Sequence, residues 1–199
     1  MGGEVPGDAT TPSQAPEAVV FPEIDGGRIR LTALSDDGLA DMFEYSRDPR
    51  FYQFLEYAPH RDIAETAAYL EQLTRRGHDG RAHYWFIRER ATSKVIGTFG
   101  VNGIDHRSSS AQIGYGLAPS VWGLGYFAEV LSVVMPFLHG RAGLHRITAT
   151  TMSDNLSSVR ALERAGFVRE ALMRDFYRYE DGRWADAVML AHLSEGAGA

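Results

Sequence analysis

From residue 28 onward the chain alternates between short runs with apolar residues at every second position and longer runs with apolar residues three and four apart. The first run, Arg28-Ile-Arg-Leu-Thr-Ala33, puts Ile29 and Leu31 on one side of an extended chain and predicts a strand. Ser35-Asp36-Asp37 is a helix-start signal for a helix reaching about Ser46, and Asp48-Pro49 breaks it. Residues 51–59 are aromatic-rich and read as a loop or short helix. Ile63, Ala67, Leu70 and Leu73 share one face of a predicted helix over 61–76, ended by Gly77. Strands follow over 82–88, 95–102 and 111–117, with connections short enough to require antiparallel neighbours. A helix over 125–138 carries Pro136, which removes one hydrogen bond from its last turn. Then come a β-branched strand over 146–151, a helix over 156–165, and a hairpin of 167–179 with 184–193 around Asp181-Gly182. Seven strands and four helices in this order predict a mixed α/β (α+β) fold with helices on both faces of one sheet.

Composition fits one globular domain: the chain has 199 residues, 44% hydrophobic and 23% charged. Cysteine is absent, which excludes disulfides, thiolate metal sites and a cysteine nucleophile. No two histidines stand four apart on a helix, so no zinc site is expected. No apolar run approaches the roughly 20 residues of a membrane helix, and the start lacks a signal-peptide pattern, so a cytoplasmic protein with no membrane partner is expected. Residues 1–27 hold four of the eight prolines and five acids without a single Lys or Arg. They are expected to be a flexible tail, in which the apolar patch at 19–21 is a candidate for docking on the body. The domain is expected over 28–194, with a short C-terminal tail at 195–199. Removing the first 27 residues reduces the formal charge from −6 to 21 acids against 20 bases, so no attraction for nucleic acid is implied.

Candidate chemistry concentrates in Ile113-Gly-Tyr-Gly-Leu-Ala-Pro-Ser-Val-Trp-Gly-Leu-Gly-Tyr-Phe-Ala-Glu129. An apolar strand runs into a Gly-x-Gly loop that opens directly into a helix. Gly123 and Gly125 remove side chains where a ligand must approach the backbone, and the helix start offers unpaired N–H groups and the positive end of its dipole. Such a place suits an anion, above all a pyrophosphate. A P-loop would need Gly-Lys-Ser/Thr, and no lysine is present. A dinucleotide fold would need a third glycine where Ala128 stands, after the first strand rather than the fourth. The pyrophosphate of coenzyme A remains, beside a purely structural turn.

Downstream stands Asp154-Asn-Leu-Ser-Ser158-Val-Arg-Ala-Leu162-Glu-Arg-Ala-Gly-Phe167. Together with Trp122-Gly-Leu-Gly-Tyr-Phe-Ala-Glu129 it resembles the GCN5-related N-acetyltransferases, in the branch of the ribosomal-protein N-terminal alanine and polyamine acetyltransferases. Leu31–Leu34, Ile96-Gly97, Ile113-Gly114-Tyr115 and the closing Asp181-Gly-Arg-Trp-Ala-Asp186 fit the same branch, so the likeness spans about residues 28–193. The resemblance implies a mostly antiparallel sheet whose fourth and fifth predicted strands splay apart around the pantetheine arm of acetyl-CoA. It implies that Trp122, Gly123, Leu124, Gly125, Tyr126 and Phe127 cradle the pyrophosphate, chiefly through backbone amides. It further implies that the Leu117 N–H polarises the thioester carbonyl, with Asn155 and Ser158 beside the pantetheine and sulfur. No metal is implied.

Departures from the family pattern sharpen the expectations. Ser120 stands where many relatives carry Gln or Arg three residues before the first glycine. Leu162 stands where many carry a tyrosine as proton donor, which leaves Ser158 as the candidate donor to the thiolate. Gln112 replaces a strand carboxylate and cannot serve as base. Asp175 is the candidate base, with Glu56, His83 and a water chain as rivals. Asn155 equally suits a helix cap, and Tyr126 and Phe127 equally suit the core. Phe51, Phe54, Glu56 and Tyr57 are expected to wall a pocket for the acceptor, a small-molecule or peptide amine. The expected activity is acetyl transfer from acetyl-CoA to a primary amine; a non-catalytic acyl-CoA-binding module is the alternative. The chain is expected to be a monomer or a homodimer, for which the edge of the last hairpin is the candidate surface.

Overall fold

The computed structural model describes residues 20–78 and 80–195. Strands β1 (Ile24–Asp25), β2 (Ile29–Ala33), β3 (His83–Glu89), β4 (Val95–Asp105), β5 (Ser110–Leu117), β6 (Arg146–Met152), β7 (Val168–Arg178) and β8 (Trp184–Leu193) form one sheet in the order β1-β2-β3-β4-β5-β6-β8-β7. Every neighbouring pair is antiparallel except β5 with β6. Helices α1 (Leu39–Ser46) and α2 (Ile63–Gly77) cover one face, and α3 (Tyr126–His139) and α4 (Leu156–Arg164) cover the other.

Strand alternation feeds both layers. Trp85 and Ile87 on β3 point into the core under α3, while Phe86 between them points to the core under α1 and α2. These side chains and Phe99 are almost completely buried, each removal from water stabilising the fold by about 1.5–3 kcal/mol. Asp62 starts α2 by accepting the Glu65 amide at 3.0 Å. Pro136 does not stop α3, which continues to His139.

Two expectations change. The sheet has eight strands, because Ile24 and Asp25, assigned with the flexible tail, pair with Leu31 and Arg30. Two residues are too short to display alternation, so nothing in the sequence marks them. Ahead of them Phe21 stacks on His83 at 4.7 Å, and the Pro22 carbonyl accepts the Trp85 indole N–H at 2.8 Å. The expected tail residues 1–19 and chain end 196–199 lie outside the described residues. The predicted helix from Ser35 begins as a short 3-10 turn, Asp36–Gly38, before α1.

The feature that positions the site is where pairing stops. β5 and β6 pair from Ser110 with Arg146 to Ile113 with Ala149 and no further. Yet β5 stays with β4 to Leu117, and β6 stays with β8 to Met152. Each strand follows its own outer neighbour, and the two part. Below the gap, the Gln112 side chain donates to the Thr150 hydroxyl at 3.2 Å.

Candidate active site

The gap opens into a cavity of about 550 Å³ bounded by the end of β5, the loop to α3, the start of α4 and residues 51–55. Phe51, Phe54, Leu117, Trp122, Gly123, Gly125, Tyr126, Phe127, Asn155 and Ser158, ten of the expected site residues, meet on its wall. Leu124 does not line it; its side chain is exposed.

Backbone directions follow from the ladder. The Ala118 N–H donates to the Ile96 carbonyl at 2.8 Å, so its neighbour Leu117 turns N–H and C=O the other way, toward the gap. Its carbonyl accepts the Trp122 indole at 2.7 Å, which folds the loop over the strand end. Its N–H faces the space that β6 has left. Opposite, Gly116 has no room for a side chain: a Cβ there would lie 2.7 Å from the Phe51 ring.

The loop rests on two left-handed glycines, Gly123 at φ +74° and Gly125 at φ +81°. Gly125 is the N-cap of α3. Among the described residues, no protein acceptor meets the amides of Gly123, Gly125, Tyr126, Phe127 or Ala128. Five donors at the positive end of a helix dipole suit a diphosphate. Ser120 is exposed on the 3-10 turn before the loop, without a reaching side chain.

Across the cavity, Asn155 caps α4: its side-chain oxygen accepts the Ser158 amide at 3.1 Å and the Ser157 hydroxyl at 2.9 Å. The Ser158 hydroxyl is hydrogen-bonded to the Tyr115 hydroxyl, and the Tyr115 ring lies 3.8 Å from that of Phe127. Burial holds the Tyr115 phenol far above its ordinary pKa, against a smaller opposing effect of the Ser158 hydrogen bond. At neutral pH this buried phenol therefore carries its proton. Tyr115 entered the sequence reading only as part of a motif, and its position on the inward face two residues before Leu117 is the signal that marks it. Leu162, at the position of the expected tyrosine, is fully buried in the core.

Glu56 and Tyr57 lie outside the cavity wall, beyond Leu55. Burial first, and the neighbouring Glu56 carboxylate second, raise the Tyr57 phenol above its ordinary range. Glu56 also faces Tyr177, whose phenol is pushed up to about 12 by burial first and by Glu56 second. Asp175 does not line the wall either. It sits exposed at φ +50° in a bulge between Met173 and Tyr177, its amide held by the Asp186 carboxylate at 2.9 Å. His83 packs under Phe21 and Trp85, away from the cavity, and burial lowers its pKa to about 4. Among the described residues no cluster of three potential metal ligands occurs. Nor is any described helix long and apolar enough to cross a membrane.

The parted strands, the glycine loop and the helix start form one continuous cleft lined by free main-chain amides. Residues 28–168 match the acetyltransferase (GNAT) domain, and the chain belongs to this family of N-acetyltransferases. An uncharacterized N-acetyltransferase, p20 of Bacillus licheniformis, is 28% identical over 83% of this chain and 93% of its own length. The [ribosomal protein uS5]-alanine N-acetyltransferase of Escherichia coli is 29% identical over 56% of this chain and 58% of its own length. Spermidine N-acetyltransferase from Vibrio cholerae, solved with CoA and spermine, has the same fold: TM-score 0.72, 20% identity, 83% of this chain and 95% of that one covered.

Proposed function

We propose that the chain transfers an acetyl group from acetyl-CoA to a primary amine by direct attack, both reactants being held at once. The observation that carries this reading is the end of β5–β6 pairing at Ile113 and Ala149, which leaves the Leu117 amide facing an open cleft that continues into the five free amides of the loop. The pantetheine arm lies in the gap as an added strand, and the diphosphate lies on the amides of Gly123 and Gly125–Ala128. Arg160 and Arg164, on the α4 side of the cavity, add positive charge. The solved V. cholerae relative binds CoA, in keeping with acetyl-CoA as co-substrate here.

The chemistry then needs little more. The amine nitrogen attacks the thioester carbon, and the oxygen that gains charge is stabilised by the Leu117 N–H, a contribution of about 3–4 kcal/mol for one such donor. Orientation of the two reactants supplies roughly 7–11 kcal/mol. As the carbon–sulfur bond breaks, the leaving thiolate takes a proton from the hydrogen-bonded pair Ser158 and Tyr115, which solvent reprotonates. The amine's surplus proton leaves through Glu56 at the aromatic mouth; this carboxylate stands beside two phenols, whereas Asp175 is turned out on its bulge. Phe51 and Phe54 wall the acceptor side. Relatives named for a protein alanine N-terminus and for spermidine both use amines, which supports the acceptor's chemical class.

A thiol-release assay with acetyl-CoA over protein N-terminal peptides, polyamines, amino sugars and aminoglycosides tests the reading. Release of one equivalent of CoA per acetylated amine is the expected result. Tight CoA binding without turnover of any amine overturns it in favour of a binding module.

A further inference from the structure

Arg28 stands at the turn between β1 and β2, and three of its groups reach the glycine loop or the helix that follows it. Its Nη1 donates to the Leu124 carbonyl at 3.1 Å, and its Nε donates to Glu129 Oε2 at 2.8 Å. Its backbone N–H donates to Glu129 Oε1 at 2.5 Å. The guanidinium also lies 4.4 Å from the centroid of the Tyr126 ring. Glu129 belongs to the first turn of α3, and its carboxylate rests against Gly26 and Gly27, where a Cβ would stand 3.3 Å from Oε1. One arginine thus ties the β1–β2 turn to both the loop and the helix that follows it.

The direction of the Leu124 carbonyl matters because of peptide geometry. No peptide bond among the described residues is cis, so the Leu124 C=O and the Gly125 N–H of the same peptide point opposite ways. Arg28 is not on the cavity wall, whereas Gly125 is. Holding the Leu124 oxygen outward against Arg28 therefore turns the Gly125 N–H inward. The left-handed Gly125 lets the chain enter α3 from that orientation, and Arg28 Nη2 lies 3.6 Å from the place a Cβ would take there.

We infer that Arg28 is the positioning residue of the coenzyme site, aiming the Gly125 amide at the diphosphate from behind the loop. The inference rests on the acetyl-CoA reading above and adds a residue to it. The guanidinium is half exposed and stands off the cavity wall, so it acts through the Leu124 carbonyl, on binding of the diphosphate and not on the acyl transfer.

The test compares two acetyl donors, acetyl-CoA and S-acetylpantetheine, which lacks the diphosphate, in wild type, Arg28→Met and Arg28→Lys, with calorimetric titration of CoA alongside. Methionine keeps an apolar stem over Tyr126 and removes every side-chain donor; lysine keeps the charge without the fork. Arg28→Met is expected to weaken CoA and raise KM for acetyl-CoA about 10–100-fold, the worth of one hydrogen bond to a charged group, with kcat within twofold. Its kcat/KM for S-acetylpantetheine stays within twofold of wild type, and Arg28→Lys falls between wild type and Arg28→Met for CoA. Equal losses with both donors, or wild-type CoA affinity in Arg28→Met, overturn the inference alone. A wild-type protein that fails to bind CoA overturns the acetyltransferase reading with it.

Discussion

Replacing Gly123 or Gly125 by valine separates the loop's effect on folding from its effect on binding. Neither new Cβ meets a clash: nothing lies within 4 Å of a Cβ at Gly123, and at Gly125 only Arg28 Nη2 lies near, at 3.6 Å. The cost in the free protein is thus the left-handed backbone, about 1–2 kcal/mol, which for a chain of this size lowers Tm by roughly 2–8 °C. If the loop relieves that strain by returning to negative φ, its amides swing away from the cavity. Each N–H to phosphate contact is worth about 1.5–3 kcal/mol, so losing two weakens CoA binding roughly 10²–10⁴-fold. Calorimetric titration with CoA reads the second effect and a thermal melt reads the first. Binding of CoA within threefold of wild type by both variants would refute the assignment of the diphosphate to this loop.

Other predictions address separate parts of the account. Tyr115→Phe keeps the stack on Phe127 and removes the buried phenol; kcat should fall about 10²-fold with KM for acetyl-CoA unchanged, and a kcat within twofold of wild type removes Tyr115 from the proton path. His83 has a folded pKa of about 4, below its unfolded value of 6.5, so the unfolded chain binds the extra proton and stability is lost as pH falls from 6.5 toward 4. Discounted for partial exposure, the loss is on the order of 1–2 kcal/mol, and urea melts of His83→Phe at pH 7 and pH 5 should show a smaller drop than wild type. Asp62→Ala removes the cap of α2, and should cost about 1 kcal/mol in a denaturant melt while leaving acetylation rates at wild-type values.

What could be read from the chain and what could not divide along physical lines. Period-two and helical spacing mark local burial, so the long strands and the four helices were legible, while β1, two residues long, left no periodic trace. The glycine loop was legible because Gly123 and Gly125 answer a local demand, positive φ at a helix start. The parting of β5 and β6 was expected only through the family resemblance, because it is a property of their outer neighbours β4 and β8, which no window of sequence contains. Tyr115 and Ser158 meet from 43 positions apart, and Arg28 and Glu129 from 101, so their pairing emerges only with the fold. Asp175 matched by order along the strand; the bulge at Met173–Tyr177 changes which way successive side chains face and leaves it in solvent.

The most direct measurement is a crystal structure of the protein grown with acetyl-CoA or CoA. The account predicts the diphosphate within hydrogen-bonding distance of the amides at Gly123 and Gly125–Ala128, the pantetheine between β5 and β6, and the thioester oxygen at the Leu117 N–H. Coenzyme bound elsewhere, or a cleft that stays empty at saturating ligand, would contradict it.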